Sequence, residues 1–258
     1  AGGAGAAVSL SGATTSGGSV ILWSEAGGVL APTPSISPAP AAALAGVLAG
    51  SAAAPGGNVE LSKFAGPVTT LSGTLGGTAI SLRSLTLNDW FVGGNVATPT
   101  ALTSSYISAA YSATHGGAAI SAPDLQAATM SFFGIGGQSP YKFVSDPNVS
   151  YVMQDGDEVK IGLAGFLNAQ AALQAILGPG IAVPANAYAS EVVSVEYAGV
   201  SRYLYSFAQP TVSGVTAGDP NGSYTGNYEV SFKVPEPAAL ALASLGLAGI
   251  AALRRRRR

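Results

Sequence analysis

The chain contains 258 residues and no cysteine, which excludes disulfide bonds, thiol nucleophiles and thiolate metal sites. Its formal net charge is −2, but five arginines end the chain, and the other six basic side chains stand against twelve acidic ones up to Glu229. The body ahead of the tail therefore has a net charge of −6. This acidic balance argues against nucleic-acid binding, which needs a basic stripe.

The first 58 residues are low in charge and rich in Ala, Gly, Ser, Thr and Pro. Residues 19–23 are compatible with a short strand, the prolines of 32–40 favour an extended backbone, and glycines limit any helix in 41–49 to about a turn. This composition buries too little apolar surface to offset the entropy of ordering. We therefore expect residues 1–58 to form a flexible, partly disordered arm.

Strands and short helices are predicted from Val59 onward. Residues 72–87 alternate apolar and polar side chains around Gly76-Gly77, which predicts two strands joined by a turn. Trp90 and Phe91 follow and are expected to anchor the core. Helical spacing and capping residues then predict three short helices, at 100–113, 124–134 and 168–177.

The rest of the body is predicted to be β-sheet. Asp155-Gly156 favours a tight hairpin turn between strands in which Val149, Tyr151 and Met153 share one face. A second hairpin is predicted at Ala198-Gly199, with Tyr203, Tyr205 and Phe207 on one face of its second strand. The strictest alternation in the chain covers 224–233, where Tyr224, Tyr228, Val230 and Phe232 share a face.

These elements predict an α+β fold class with three parts. An antiparallel, β-rich domain with about three short helices spans residues 59–233, after the arm of residues 1–58. Residues 234–258 form a separate C-terminal signal with a single hydrophobic helix. Neither cofactors nor catalytic residues are predicted.

Motifs for catalysis or metal binding are weak. His115, the sole histidine, stands beside Gly116-Gly117 and is interpreted as a turn residue. Asp155, Asp157 and Glu158 are weak calcium candidates, because they lack the remaining ligand spacing of a known calcium loop, and a solvated hairpin turn is the competing interpretation. Gly134-Ile135-Gly136-Gly137 lacks the third spaced glycine of a dinucleotide loop and is interpreted as a helix end.

The C-terminal tail has the physical character of a short membrane anchor. Ala238 to Leu253 is an uncharged run, and counted from Pro237 it covers about 17 residues, or roughly 25 Å of helix, the lower limit for crossing a hydrocarbon core. A buried core helix is the alternative, although a soluble helix normally carries a polar face. A basic cluster at this position is retained on the cytoplasmic side, and it consists of Arg254, Arg255, Arg256, Arg257 and Arg258.

Val234, Pro235, Glu236 and Pro237, followed by the apolar run and the arginines, resemble the PEP-CTERM sorting signal of Gram-negative bacteria. The resemblance covers the last tenth of the chain and implies that an exosortase recognises Pro235-Glu236-Pro237 and removes the helix. The precursor would then lie in the inner membrane with its body outside, after export by the Sec machinery. Ala1 to Ala7 lacks the basic start and the cleavage site of a secretory signal peptide, so we expect that such a peptide has already been removed or is left out of this sequence. The mature body would reach the cell surface or extracellular matrix.

Three hypotheses for function follow. In the first, the body is a non-enzymatic structural or binding module that contacts exopolysaccharide, envelope components or its own copies. In the second, it is an exported hydrolase that acts on glycans through a carboxylate pair, for example Asp155 or Asp157 with Asp89. In the third, the tail stays uncleaved and the protein is a permanently anchored single-pass membrane protein.

Overall fold

Two antiparallel β-sheets form the framework of the protein. The computed structural model describes residues 7–62, 66–135, 137–219 and 222–234, and within them thirteen strands make one eight-stranded and one five-stranded sheet. The strands of the eight-stranded sheet are β1 (Val8–Ser9), β3 (Val20–Ala26), β4 (Val29–Pro32), β5 (Asn58–Leu61), β8 (Asn148–Asp155), β9 (Glu158–Gly165), β12 (Thr211–Val212) and β13 (Gly226–Lys233). Those of the five-stranded sheet are β2 (Ser11–Gly17), β6 (Thr69–Leu75), β7 (Thr78–Arg83), β10 (Val193–Tyr197) and β11 (Val200–Leu204).

Both sheets combine strands from the N-terminal and the C-terminal parts of the chain. The larger sheet runs β12-β13-β9-β8-β5-β3-β4, with β1 paired to β8, and the smaller runs β11-β10-β7-β6-β2. The inner faces of both sheets share one aliphatic cluster, so the sheets pack as a sandwich. This cluster includes Val20, Leu22, Val59, Leu61, Leu71, Leu82, Val149, Ile161, Leu163, Val193, Val195 and Val230.

Five α-helices accompany the sheets in the described residues. They are α1 (Ala41–Val47), α2 (Leu87–Trp90), α3 (Ala101–Thr114), α4 (Ala122–Phe133) and α5 (Gln170–Leu177), with 3-10 turns at Val92–Gly94 and Pro140–Val144. The last three confirm the predicted helices, and Gly134 ends α4 in a left-handed conformation with φ of 112°. The β-rich α+β fold class is confirmed.

A second core lies among the helices. Trp90 and Phe91 are fully buried there, as predicted, and Phe132 of α4 packs edge-on against Trp90 with ring centroids 4.9 Å apart. Strand β11 ends at Leu204. Tyr205 and Phe207 follow it and pack, partly buried, against this second core. The prediction that these two rings share a strand face with Tyr203 is therefore wrong.

The expectation of a flexible N-terminal arm is wrong for the described part of residues 1–58. Strand β3 lies between β4 and β5 in the larger sheet, and β2 forms an edge of the smaller one. Val20 and Leu22 are buried in the shared core, and Leu44 of α1 is fully buried beside them. The composition hides this because small residues flank the few apolar ones, and pairing with distant strands supplies the burial that the local sequence lacks.

Both predicted hairpins are present. Asp155 pairs with Glu158 at the end of the β8–β9 hairpin, where Gly156 has φ of 61°. Ala198 and Gly199 join β10 to β11 with φ of 52° and 76°, the pair of positive angles that a type I′ turn requires. Strand β13 turns Tyr228 and Val230 inward, as predicted. Tyr224 precedes the strand and packs on the opposite face instead.

Candidate functional site

A row of polar side chains crosses the outer face of the eight-stranded sheet, the face turned away from the shared aliphatic core. The strand register pairs Glu60 with Asn148, Asn148 with Ala164, and Ala164 with Asn227. Directly paired residues of antiparallel strands point to the same face. Glu60, Asn148 and Asn227 are each 3 % exposed or less. This part of the outer face is therefore covered, although outer faces normally meet water.

The segment that precedes β13 covers one end of this row. The Tyr224 ring lies 5.0 Å from the Trp23 ring, and the Leu30 N–H donates to the Ala217 carbonyl at 3.0 Å. Beneath this cover, Glu60 Oε2 accepts hydrogen bonds from Trp23 Nε1 at 2.9 Å and from the Tyr224 hydroxyl at 3.3 Å. Burial and the charge of Glu60 raise the pKa of Tyr224, so this hydroxyl keeps its proton and remains a donor.

A β-bulge turns two consecutive side chains of β8 to the outer face. The register shifts ahead of Tyr151, which then pairs with Gly162. The Tyr151 hydroxyl donates to Glu229 at 2.9 Å, and Ser150 Oγ lies 2.6 Å from Asn227 Oδ1. Gly162 leaves room for this arrangement, because a Cβ there would overlap the Tyr151 ring. The prediction that Val149 and Tyr151 share a face of β8 is therefore wrong. Val149 belongs to the inner core, and the bulge turns Tyr151 outward.

Two further carboxyl groups lie next to the row. Glu191 accepts hydrogen bonds from the Asn148 backbone N–H at 2.9 Å and from Asn148 Nδ2 at 3.1 Å. Burial, and after it the charge of Asp146, raises the pKa of Glu191 well above its usual range, and Glu60 adds to the effect. Glu191 therefore holds a proton more readily than a surface glutamate does.

A cavity of about 270 Å³ opens beside Glu191. It lies between α5, the 3-10 turn at Pro140–Val144 and the residues that follow β9, and its lining is largely apolar. Tyr228 fixes one wall, because its hydroxyl donates to the Phe166 carbonyl at 2.6 Å and accepts from the Ala189 N–H at 3.1 Å. The Tyr228 ring also fills the space over Gly165, where a Cβ would lie 2.8 Å from it. The cavity thus lies at the end of β9, where Tyr228 joins the two chain segments on either side.

The weak calcium candidates take separate partners. Asp155 pairs with Lys160 at 2.8 Å, Asp157 faces Lys233 at 3.7 Å, and Glu158 Oε1 lies 2.6 Å from Ser231 Oγ. In the described part of the chain, no group of three or more His, Asp or Glu side chains is placed to hold a metal ion. These three acids thus make separate contacts with the hairpin end and with the neighbouring strand β13.

Asp89, the other acid of the hydrolase hypothesis, is held by contacts within the fold. It forms a bidentate pair with Arg83 at 2.6 and 3.0 Å and closes a capping box with Thr86 at the start of α2. Burial alone would raise the pKa of Asp89, but hydrogen bonds from Arg83, Thr86 and Tyr203 outweigh burial and lower it to about 2. Among the contacts of the described residues, none joins Asp89 to Asp155 or Asp157.

His115 follows α3 as its C-cap, close to its predicted position in a turn. Its ring stacks on Tyr111 at a centroid distance of 3.9 Å, and Nδ1 lies 2.9 Å from Thr114 Oγ1. The helix end at Gly134 stands where the Gly134-Ile135-Gly136-Gly137 stretch predicts it, while Gly136 lies outside the described residues.

The body ends beside the β8–β9 hairpin. Val234, the residue after β13, donates its N–H to the Asp157 carbonyl at 2.6 Å. Pro235, Glu236, Pro237 and the predicted hydrophobic helix lie outside the described residues, as do Arg254, Arg255, Arg256, Arg257 and Arg258. No helix within residues 7–62, 66–135, 137–219 and 222–234 has the length and apolar character needed to span a bilayer.

Comparison with known sequence families identifies this C-terminal segment. Residues 233–257 match the family described as the PEP-CTERM protein-sorting motif. The chain carries a PEP-CTERM sorting motif. This motif marks an exported protein that is sorted to the cell surface and processed by an exosortase. Curated proteins and solved structures showed no match to the chain. The PEP-CTERM motif thus indicates how the protein is sorted. It does not indicate what the body does, which has to be inferred from the structure of the body.

Sequence reasoning missed the buried polar row and Glu191. The pattern around Glu60 gave no warning, because a charged residue between Val59 and Leu61 is the usual alternation of a strand with one face in solvent. For Glu191 the sequence held no signal either, because its environment comes from Asn148 and Asp146, more than forty residues earlier.

Proposed function

We propose that the body of this exosortase-sorted protein is a non-enzymatic structural or binding module of the cell surface or extracellular matrix. Its contacts would be exopolysaccharide, envelope components or other copies of itself. The observation that carries the proposal is that the folded body runs directly into the sorting motif. The motif begins at Lys233, which is also the last residue of β13. The unit that the motif delivers is therefore a folded sandwich that leads into it without a linker.

The contacts of the predicted acids support a non-enzymatic body. Asp89 caps α2 and pairs with Arg83, and Asp155 and Asp157 pair with lysines at the hairpin end. Each carboxylate of the proposed hydrolytic pair thus already has a local partner in the folded chain. The inner-membrane precursor, with the body outside and the arginines in the cytoplasm, belongs to the same proposal, as does export by the Sec machinery.

Processing is tested by intact-mass spectrometry of the protein taken from the surface fraction of its native host. The expected mature protein lacks everything after the Pro235-Glu236-Pro237 region. A variant with Ala at 235–237 serves as the control and should keep its full C-terminus. A surface protein that retains Arg258 would contradict processing and would favour the permanent anchor.

The role of the body is tested by incubating the full chain with exopolysaccharide from the same host. We expect the chain to co-sediment with the polymer without releasing reducing ends, whereas heat-unfolded protein should stay in solution. Steady release of reducing sugar by the folded chain would overturn the non-enzymatic proposal and favour the glycan hydrolase.

A further inference from the structure

We propose that the cavity beside Glu191 binds a small organic ammonium ion. The apolar part of the ligand would lie against the cavity walls, and its charged nitrogen would meet the Glu191 carboxyl. This inference concerns a site on the body and goes beyond sorting and surface attachment.

The shape and lining of the cavity set the size and character of the ligand. A volume of about 270 Å³ lies just below the usual range for small-molecule sites, so the ligand must be small. Pro140, Val144, Phe166 and Ile176 contribute apolar walls, and small side chains on α5 keep the space open. A ligand with one compact apolar group fits these walls.

The charge of the cavity wall determines which ligand charge the cavity favours. Among the lining residues, all within the described part of the chain, Glu191 is the one with an ionisable side chain. Its carboxyl accepts hydrogen bonds from the neutral amide groups of Asn148. Asp146 and Glu60 add negative charge behind it, and Tyr106 and Tyr224 stand within the field of Glu191 as further titratable groups.

A cation in the cavity would offset the unfavourable ionisation of Glu191, whereas a neutral or anionic ligand would not. Ionised Glu191 is disfavoured by burial and by the nearby carboxylates, so a positive charge in the cavity stabilises the ionised form. A neutral ligand gains at most a hydrogen bond, and an anion is repelled. Phe143, which is 48 % exposed, and Phe166 add aromatic rings to the lining, and ring faces attract organic cations.

Isothermal titration calorimetry of the full chain with three probes of similar shape tests the proposal. The probes are benzylamine, benzyl alcohol and benzoate, at neutral pH. We expect benzylamine to bind about tenfold or more tightly than benzyl alcohol, because its contact with a carboxylate is charge-assisted, and benzoate not to bind. Equal affinities for the amine and the alcohol, or no binding of the amine, would overturn the proposal.

Two matched variants assign the effect to Glu191. Glu191→Gln keeps an acceptor for Asn148 and should abolish the preference for the amine. Glu196→Gln removes the same charge from an exposed position on β10 and should leave the preference unchanged. If Glu191→Gln fails to fold, Ala172→Leu narrows the cavity without touching the carboxyl and should weaken all binding. An amine affinity that survives in a folded Glu191→Gln or Ala172→Leu variant would refute the site.

Proton release provides an independent readout. Because the cation favours ionised Glu191, binding should release protons, and the observed enthalpy should vary with the ionisation enthalpy of the buffer. Benzyl alcohol should show no such variation. The titration is repeated from about pH 5 to pH 8, because the number of protons released depends on how much of Glu191 is protonated at the start. Amine binding without proton release at any of these pH values would contradict the role of Glu191, while leaving the sorting motif and surface attachment unaffected.

Discussion

The two faces of the eight-stranded sheet are both buried in part, but by opposite means. The inner face packs aliphatic side chains such as Ile161 and Leu163 against the second sheet. The outer face buries Glu60, Asn148 and Asn227 under aromatic cover and hydrogen bonds. Apolar burial stabilises without direction, whereas buried polar groups cost free energy unless each is paired. The inner face therefore holds the fold together, and the outer face contributes less to stability, because Asn148 Oδ1 and Asn227 Nδ2 are buried without a hydrogen-bond partner among the described residues.

The largest expected effect tests the inner face. Ile161→Ala should lower the free energy of unfolding by about 2 to 5 kcal/mol, because it leaves a cavity in a fully buried core. Urea denaturation of the full chain measures the change. Lys160→Ala, one residue earlier and facing out, removes an exposed pair with Asp155 and should change the free energy of unfolding far less than Ile161→Ala does. Similar losses for both variants would contradict the contrast between the faces.

The next effect tests the close packing of the outer face. Gly162→Ala should lower the free energy of unfolding by about 1 to 3 kcal/mol, because the added methyl group must displace the Tyr151 ring from Glu229. Urea denaturation again measures it. Gly180→Ala is the control, since a Cβ there meets open space, and it should change stability by less than about 0.5 kcal/mol. A harmless Gly162→Ala would show that the Tyr151 ring does not cross the strand at this point.

A smaller effect measures the cost of an unpaired group on the outer face. Ser150→Ala should destabilise by about 1 to 2 kcal/mol, because it leaves the Asn227 carbonyl oxygen buried without the Ser150 hydroxyl. Adding Asn227→Ala should recover part of this loss, because both partners are then absent. Denaturation of the two single variants and the double variant gives the coupling energy. Strict additivity would show that the two side chains do not interact.

The smallest expected effect is a change in pH dependence. The folded-state pKa of Glu191 lies above its ordinary value of 4.5, so its contribution to stability is present below that pH and is lost as the pH rises through the folded-state pKa. Glu191→Gln should therefore flatten the decline in unfolding free energy on the alkaline side of pH 4.5. Thermal melts across pH 4 to 8 measure this slope. Glu196→Gln should leave the slope unchanged, and an unchanged slope in Glu191→Gln would contradict the assignment.

The sequence predicted those parts of the fold in which local pattern and burial agree. The period-2 alternation of β13, the helices α3, α4 and α5, and the turns at Gly156 and Ala198-Gly199 all carry their signals within a few residues. The placement of β2 and β3 did not follow, because their burial depends on strands far along the chain. The bulge before Tyr151 was hidden for a similar reason, since an alternating sequence does not reveal an extra residue in the ladder.

The candidate site was less predictable than the fold. Glu60, Asn148 and Glu191 come from three distant segments, and an isolated polar residue in a sequence normally indicates solvent. The sorting motif was the opposite case, because all its parts are consecutive in the chain.

The hydrogen bond from Val234 to Asp157 has a consequence for maturation. Strand β13 ends at Lys233, and Val234, the next residue, is hydrogen-bonded to the hairpin. A cut anywhere beyond this residue therefore takes no rung from the ladder between β13 and β9. Peptide-bond cleavage there would release the sandwich with the pairing of β13 to β9 unbroken.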